Sequence, residues 1–261
     1  MNVWFVMYRK EWLELVRSYK LIWIPIVFLL IGASQPVMTY FLPDIIANAG
    51  NMPAGTVIEM PTPQAPEVMA QTLGQFGMLG LLVLALACMG AVSQERTSGT
   101  AAMVLVKPVS YLSFVTSKWA ALMTLTVLSF SAGYCASWYY TNVLFAAVSW
   151  QAVLGSLLLF ALWLIFVGTV TVLFSAWLRS AAATAFSALA VAVVLNLTAS
   201  LAPKLFVWSP GRLSELASAQ AMSGQTEGVW LVVAVSVGGI ILLLGLSVLL
   251  LRSHPSLEAA A

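Results

Sequence analysis

Residues 151–178 of this 261-residue chain read QAVLGSLLLFALWLIFVGTVTVLFSAWL, and residues 181–202 read AAATAFSALAVAVVLNLTASLA. Both runs lack Asp, Glu, Lys, Arg and His, and both exceed the roughly 20 apolar residues that an α-helix needs to cross a bilayer. Only Arg179 and Ser180 separate them. The stretch therefore predicts two membrane-crossing helices joined as a tight antiparallel hairpin.

The same composition extends over the whole chain. Hydrophobic residues make up 61% and charged residues 8% of the sequence, whereas a soluble domain carries about 25% charged residues. An ionisable group costs about 2.5–3.5 kcal/mol at the centre of a membrane helix, and the long apolar runs contain none. We predict an all-α, polytopic membrane protein of a single domain with six transmembrane helices, at 21–42, 74–93, 119–139, 151–178, 181–202 and 229–251.

The distribution of Lys and Arg predicts the orientation of these spans. With the N-terminus in the cytoplasm, only Lys204 and Arg212 of the 11 basic residues lie outside, as the positive-inside rule requires. Both termini and the loop 94–118 are then cytoplasmic, and 43–73 and 203–228 are external. The nine cytoplasmic basic residues are Arg9, Lys10, Arg17, Lys20, Arg96, Lys107, Lys118, Arg179 and Arg252.

Residues 2–20 carry a helical pattern ahead of the first span. At about 100° per residue, Trp4, Tyr8 and Trp12 share one side of the helix, and Lys10 lies on the other with most of the charged residues. A basic face opposite an aromatic face is typical of a helix that lies in the membrane interface. We expect such an interfacial helix; the alternative is an ordinary cytoplasmic extension of the first span.

Two further segments outside the loop 94–118 have distinctive compositions. The external segment 43–73 is rich in proline, which favours an extended connector. Ser209, Pro210 and Gly224 are start and stop signals for a short external helix at about 210–222.

The fifth span is unusually rich in small and polar residues. It contains nine alanines, and small residues allow helices to approach closely while polar side chains seek partners on other helices. We expect this span to be shielded from lipid, at a helix interface or along a translocation path. Its candidate residues are Thr184, Ser187, Asn196, Thr198 and Ser200.

Several classes of function are disfavoured by what the sequence lacks. It has no G-x-x-x-x-G-K-[ST] motif for binding ATP, and its single histidine, His254, allows neither a zinc pair nor a Ser–His protease within the membrane. The net charge of +2 without a basic run gives no sign of nucleic-acid binding. No metal or cofactor site is predicted.

The loop 94–118 reads QERTSGTAAMVLVKPVSYLSFVTSK and is the largest cytoplasmic element between predicted spans. Its apolar residues are helix-spaced as far as Pro108, which predicts a short helix, a turn at Lys107-Pro108 and entry into the third span. One interpretation is a surface on which a soluble partner pushes. The other is a solvated connector whose charges only fix the topology.

The segment 93–118 resembles the cytoplasmic segment of type-2 ABC exporter permeases. In that family a span ends in Glu-Arg, Gly-Thr follows, and then come a short apolar helix, Pro-Val-Ser and a Lys at the next span. Lys10-Glu11 ahead of the first span, the large external loop and the external helix near 210–222 are also similar, whereas the hydrophobic residues 101–103 depart from the usual pattern. The matching positions are Glu95, Arg96, Gly99, Thr100, Leu105, Pro108, Val109, Ser110 and Lys118.

The resemblance is closest to the small Bacillus-type six-span permeases without a fused nucleotide-binding domain. It implies a permease subunit in the bacterial cytoplasmic membrane, with a separate cytoplasmic ABC ATPase that supplies the missing ATP site. It also implies a second permease copy, identical or a sister chain. The 94–110 segment would couple to the ATPase, and the N-terminal helix with Trp4, Tyr8, Lys10, Glu11 and Trp12 would be a second contact beside the membrane lipid.

Two other classes of function compete with this interpretation. A stand-alone membrane immunity or binding protein would need no ATPase. An ion-coupled secondary transporter would depend on an ion gradient, although the spans contain no carboxylate. A path lined by small, hydroxyl and apolar residues suits an amphipathic or lipid-like molecule or peptide better than a small ion.

Overall fold

The computed structural model describes residues 3–48, 63–98, 109–224 and 228–253, and the regular elements in these ranges are helices. A π-helical turn, Phe76–Gly80, links the third helix to the fourth. The helices are α1 (Val3–Arg17), α2 (Lys20–Asn48), α3 (Ala65–Gln75), α4 (Leu81–Cys88), α5 (Ser93–Thr97), α6 (Tyr111–Leu144), α7 (Trp150–Trp177), α8 (Ala181–Leu201), α9 (Arg212–Ser223) and α10 (Val229–Ser253).

Six of these helical segments are long and apolar enough to cross a membrane, which confirms the predicted six-span, all-helical fold. The helix bounds differ from the predicted spans mainly around the second and third. The segments are Lys20–Ile46, Ala65–Thr97, Tyr111–Leu144, Trp150–Trp177, Ala181–Leu201 and Val229–Ser253.

The structure shortens the predicted external connector 43–73 at both ends, and residues 49–62 of it lie outside the described residues. The first span continues as α2 to Asn48, and α3 begins at Ala65, nine residues before the predicted start of the second span. Pro66 near the helix start already has the backbone angle of the first turn. The polar residues of 64–75 lower the mean hydropathy of this segment, so a hydropathy profile does not detect α3. The opposite face of α3 is nevertheless buried.

The third span also begins earlier than predicted, because 111–118 belongs to α6 and not to a loop. Ser110 caps α6 by accepting a hydrogen bond from the backbone N–H of Ser113, 3.1 Å away. Phe114 and Val115 are fully buried in its first two turns. The connection between the second and third spans is therefore eight residues shorter than predicted.

A sharp turn separates α1 from α2. The predicted 2–20 helix ends at Arg17, and Tyr19 adopts φ = 58°, the left-handed region that costs a residue with a side chain about 1–2 kcal/mol. Its N–H donates to the carbonyl of Val16, and its own carbonyl accepts from Ile22. The turn redirects the chain so that α1 packs beside α6 instead of extending the first span.

Two glycines permit a close crossing of α2 and α6 at the centre of the bundle. A Cβ built on Gly32 would lie 1.9 Å from the carbonyl oxygen of Gly133, and one built on Gly133 would lie 2.3 Å from that of Phe28. Both distances are far below van der Waals contact, and each involves backbone atoms that no rotamer change can move. The crossing therefore depends on the absence of side chains at these positions.

A chain of aromatic rings fills the core beside this crossing. Consecutive ring centroids lie 5.1–5.6 Å apart in stacked, tilted and edge-on arrangements. Such pairs add about 0.5–1.5 kcal/mol each to the burial of their area. The rings come from three of the spans and the π-helical turn, and all are buried: Phe28, Phe76, Phe130, Tyr134 and Phe160.

The predicted helix at 210–222 is present as α9, which begins at Arg212 and ends before Gly224 in the left-handed conformation. Ser209 is not its cap, because Gly211 occupies that position. A Cβ on Gly211 would lie 2.2 Å from the carbonyl oxygen of Leu195 in α8. Leu213 is fully buried, so α9 packs into the bundle against α3 and α7.

We expect Gly133→Ala to destabilise the protein by about 1–3 kcal/mol, because the added methyl group has no space beside the α2 backbone. The measurement is the temperature at which the detergent-purified protein loses its monodisperse peak in gel filtration. Gly238→Ala is the matched control, since nothing lies within 4 Å of a Cβ there. Equal midpoints for the two variants would contradict the proposed backbone crossing.

Candidate functional site

The helix of the second span breaks just before the loop 94–118, and a serine from α7 holds the break. Ser175 Oγ accepts hydrogen bonds from the N–H groups of Val92 and Ser93, at 2.9 and 3.0 Å, and donates to the carbonyl of Met89 at 3.0 Å. These are the backbone groups that a broken helix leaves unpaired. One hydroxyl group thus fixes the direction in which α5 leaves the span.

The break directs the side chain of Glu95 towards charged residues of two other helices, and together they form a cluster. Glu95 Oε1 lies 2.7 Å from Lys10 Nζ of α1 and 2.9 Å from Lys118 Nζ of α6. Lys118 also contacts both carboxylate oxygens of Glu11 at 2.9 Å. We call Lys10, Glu11, Glu95 and Lys118 the charge cluster. Glu14 stands at its rim, 3.1 Å from Lys10.

The charge cluster is buried on its inner side. The exposed fraction of the side chain is 2% for Lys118, 8% for Glu11 and 11% for Glu95, against 40% for Lys10. Isolated charges at such depth would be very costly, but two ammonium and two carboxylate groups compensate each other here. Because removing one member leaves a buried charge without its partner, the four residues form one structural unit.

The ammonium group of Lys10 keeps its charge at physiological pH. Partial burial alone would lower the pKa of Lys10, but its hydrogen bond to Glu95 and the charge of Glu11 outweigh burial and hold that pKa well above the usual range. A raised lysine pKa contributes stability that is lost only as the pH rises through the folded-state value. Lys10 therefore stays protonated near neutral pH, and its ion pairs persist there.

The carboxylates of Glu11, Glu14 and Glu95 converge closely enough to suggest a metal site, with oxygens within 4.8 Å of one another. The ammonium groups of Lys10 and Lys118 lie among those oxygens. The convergence is explained by these ion pairs, and it needs no bound cation.

The aromatic face of α1 packs on α6, a contact that the sequence pattern did not predict. Trp4 Nε1 donates to Thr116 Oγ1 at 3.0 Å, and the Tyr8 hydroxyl donates to Thr124 Oγ1 at 3.4 Å. Trp12 is half-buried against the same core. Glu11 lies between these aromatic residues on the helix, so the ion pair with Lys118 draws this face inward. The exposed apolar residues of α1 are Val3, Phe5, Val6, Leu13 and Val16.

Arg96 and Val109 are the other described residues of the predicted coupling set. Arg96 Nη1 donates to the carbonyl of Ala176 in the last turn of α7, where a cation also interacts favourably with the helix dipole. Val109 is half-buried against a small apolar cluster that includes Phe114 and Leu251. Gly99, Thr100, Leu105 and Pro108 lie outside the described residues.

The polar residues of the fifth span, now α8, make few contacts with other helices. Thr184, Thr198 and Ser200 donate to carbonyls of their own chain three or four residues earlier, and Ser187 is half-buried. Asn196 differs, because its Oδ1 accepts a hydrogen bond from Ser214 of α9 at 3.0 Å. The helix is largely exposed in the described chain, with Phe186 at 77%, so the described residues do not provide the expected shielding.

From the sequence, Glu95 and Glu11 belong to separate predicted sites, and Lys118 has no role beyond its position in the motif. In the structure Lys118 contacts both Glu11, 107 positions earlier in the chain, and Glu95, 23 positions earlier. The available signal was the scarcity of charge, since only 8% of residues are charged. A lysine at the edge of an apolar span in such a chain needs a carboxylate near it.

We expect Lys118→Met to destabilise the protein by about 3–5 kcal/mol, because Glu11 and Glu95 would then share only Lys10 as a counter-charge. The measurement is the same gel-filtration midpoint. Arg17→Met, at the exposed end of α1, is the control and should have little effect. Adding Glu95→Gln to Lys118→Met should recover part of the loss. Additive losses in the double variant would contradict a coupled cluster.

The comparisons with known proteins agree with this architecture. The family described as "ABC-2 family transporter protein" matches residues 5–252, which include the charge cluster, all six spans and the loop 94–118. The chain is similar to the "Uncharacterized transmembrane protein YxlG" of Bacillus subtilis (strain 168), with 36% identity over 225 residues, 86% of this chain and 87% of the relative. The chain is therefore a multi-pass membrane protein of the ABC-2 transporter family.

Proposed function

We propose that this protein is the membrane-spanning permease subunit of an ATP-driven exporter. A separate cytoplasmic ABC ATPase binds the segment 94–110 and hydrolyses the ATP, since this chain has no ATP-binding motif of its own. Membership of the ABC-2 family supports the proposal, because permeases of this family generally work with ABC ATPase partners. The predicted cytoplasmic position of the loop 94–118 agrees with it.

The charge cluster is the observation that carries the proposal. It lies where the second span enters the loop 94–118 and bonds α5 to α1 and to α6. A force applied to this loop by a soluble partner reaches both helices at once through the shared Glu95 carboxylate. Buried ion pairs of fixed geometry suit this role, because they cannot reorganise in water as exposed pairs do.

The long helix α6 then carries the displacement across the membrane. It contains 34 residues, which at 1.5 Å per residue is about 50 Å, more than the thickness of the hydrocarbon core. Arg96 and Ser175 connect the same part of the loop to α7. Rigid-body movement of α1, α6 and α7 is one of the established ways in which such transitions occur.

A second permease copy completes the proposed exporter. Only 22% of the most apolar 18-residue stretch of α8 is buried within the chain, whereas 67% of the corresponding stretch of α7 is buried. The exposed side of α8 includes Ala182, Ala183 and Ala190, and small residues allow another helix to approach closely. We propose that α8 packs on the second copy, and an identical chain is the commoner symmetric solution.

The experiment that tests this function uses a cysteine that the protein already has. Cys135 on α6 is exposed, and Cys88 is buried, so N-ethylmaleimide should react with Cys135 alone, at a rate that depends on how far water reaches this part of the span. The complex is purified in mild detergent, reconstituted into liposomes and labelled with and without ATP. We expect a stoichiometric partner with ATPase activity and a labelling rate that changes when ATP is hydrolysed.

Glu95→Gln should abolish the ATP-dependent change in Cys135 labelling, because the loop is then no longer ion-paired to Lys118 and Lys10. Hydrolysis by the bound ATPase should continue, which separates loss of coupling from loss of the partner. Glu215→Gln makes the same chemical change at an exposed position of α9 and should behave as the unaltered protein. An unchanged ATP response in Glu95→Gln would contradict the coupling role.

The same preparation discriminates the other two classes of function. A well-folded protein that purifies without any ATPase would support a stand-alone membrane protein. A labelling change that follows an imposed ion gradient and ignores ATP would support an ion-coupled transporter.

A further inference from the structure

Five polar side chains form a ladder between α2 and α3, on the side of the bundle opposite to the charge cluster. Gln35 Nε2 donates to Gln71 Oε1 at 3.1 Å and to Thr39 Oγ1 at 3.4 Å. Ser34 Oγ donates to Gln75 Oε1 at 3.4 Å. We call this set, Ser34, Gln35, Thr39, Gln71 and Gln75, the amide seam.

The amide seam lies at membrane depth. Lys20 Nζ bonds to the carbonyl of Ala87 at 2.9 Å, which places the start of α2 beside the end of α4. Gln35 lies 15 residues further along α2, about 22 Å at 1.5 Å per residue, within a hydrocarbon core of about 30 Å. The seam therefore occupies the outer half of the first and second spans.

The seam is also at the surface of the chain. Gln71 is exposed and Gln75 is half-buried, and Gln64 and Glu67 continue the same exposed side of α3 outward. Amide groups do not face lipid chains without a large penalty, so polar surface at this depth faces water or another protein. Inward of the seam the same side becomes apolar, and Met78 is 77% exposed.

The change from polar to apolar surface occurs at the π-helical turn Phe76–Gly80. Short π-helical turns inside α-helices are frequent at functional sites. A Cβ built on Gly74 or Gly77 would meet nothing within 4 Å, so the surface beside the turn is unobstructed. This irregular backbone lies at the inner end of the seam, where a transported substrate would first meet hydrogen-bonding groups.

An apolar cavity of about 690 Å³ adjoins the outer end of the seam. Thr39 and Gln64 border it, and its other walls are apolar or aromatic, among them Tyr40, Leu42 and Phe145. Its volume is in the range of small-molecule sites. A polar seam that leads to an apolar cavity is suited to binding an amphipathic molecule, which has one polar and one apolar part.

The charges near the seam select against anions. The seam itself has no ionisable group, and Glu67 lies one turn outward from Gln71. A negatively charged substrate would be repelled by the Glu67 carboxylate on the same exposed side of α3.

We propose that the amide seam lines the translocation path, and that its passenger is an amphipathic molecule with uncharged hydrogen-bonding groups and no net negative charge. The proposal rests on the exporter function proposed above. The amides of Gln35 and Gln71 replace water around the polar part of the passenger. The adjoining cavity receives its apolar part.

The test measures the access of water to the seam in the reconstituted complex. In a Cys135→Ser background, Gln71→Cys and Met78→Cys are labelled with the membrane-impermeant cation 2-(trimethylammonium)ethyl methanethiosulfonate. Because the thiolate is the reacting form and exists only in contact with water, Gln71→Cys should react about tenfold faster. Met78→Cys is the control on the same side of the helix.

Two probes with the same alkyl chain test the class of passenger. Octyl glucoside, below its solubilising concentration, should slow the labelling of Gln71→Cys, and octyl sulfate at the same concentration should not. Equal protection by the two probes would overturn the proposed selectivity. Equal labelling rates for the two variants would contradict the proposal that the seam lines the path. So would a disulfide between the Gln71→Cys residues of two copies, if the reagent then fails to react.

The preparation also shows which proposal has failed. Copurification of the ATPase and its ATP hydrolysis are measured on each variant before labelling. If the ATPase is present and active while Gln71→Cys stays unreactive, the seam proposal is wrong and the exporter proposal stands. If no ATPase is present, the exporter proposal is wrong.

Discussion

The shared ion pairs of Glu95 are the constraint on which the arrangement of α1, α5 and the start of α6 depends. This chain has few charges, and it commits two lysines and two glutamates to a single buried cluster. The cluster joins the inward face of α1, the short helix α5 that Ser175 directs out of the second span, and the first turns of α6. These elements are separate in the sequence, and the shared Glu95 carboxylate connects them.

The sequence was sufficient for the six spans, because hydropathy reports directly on each helix that lipid surrounds. It failed at α3, where Gln64, Gln71 and Gln75 lower the hydropathy although Val68 and Met69 pack into the bundle. A hydropathy profile scores every polar residue as if it were exposed to water. Here polar residues lie on one side of a helix at membrane depth, so the predicted second span began nine residues too late.

The candidate site was predictable in its parts and not in its assembly. The motif identified Glu95 and Lys118, and the amphipathic pattern identified α1, but no periodicity connects Glu11 with a lysine 107 positions away. The amphipathic pattern of α1 predicted a helix in the membrane interface, where Trp and Tyr are common. It did not reveal the hydrogen bonds that Trp4 and Tyr8 make to Thr116 and Thr124 of α6.

The glycine crossing of α2 and α6 has a mechanical consequence. Gly133 lies 15 residues from Lys118 and 11 residues from Leu144, the last residue of α6, which gives arms of about 22 and 16 Å on the two sides of the crossing. With no side chain between the backbones, the crossing can serve as a fulcrum, and α6 as a lever. In the proposed exporter, a push at the Lys118 end of α6 would swing the Leu144 end in the opposite direction, by about three-quarters of the distance, beside the cavity that Leu144 helps to line.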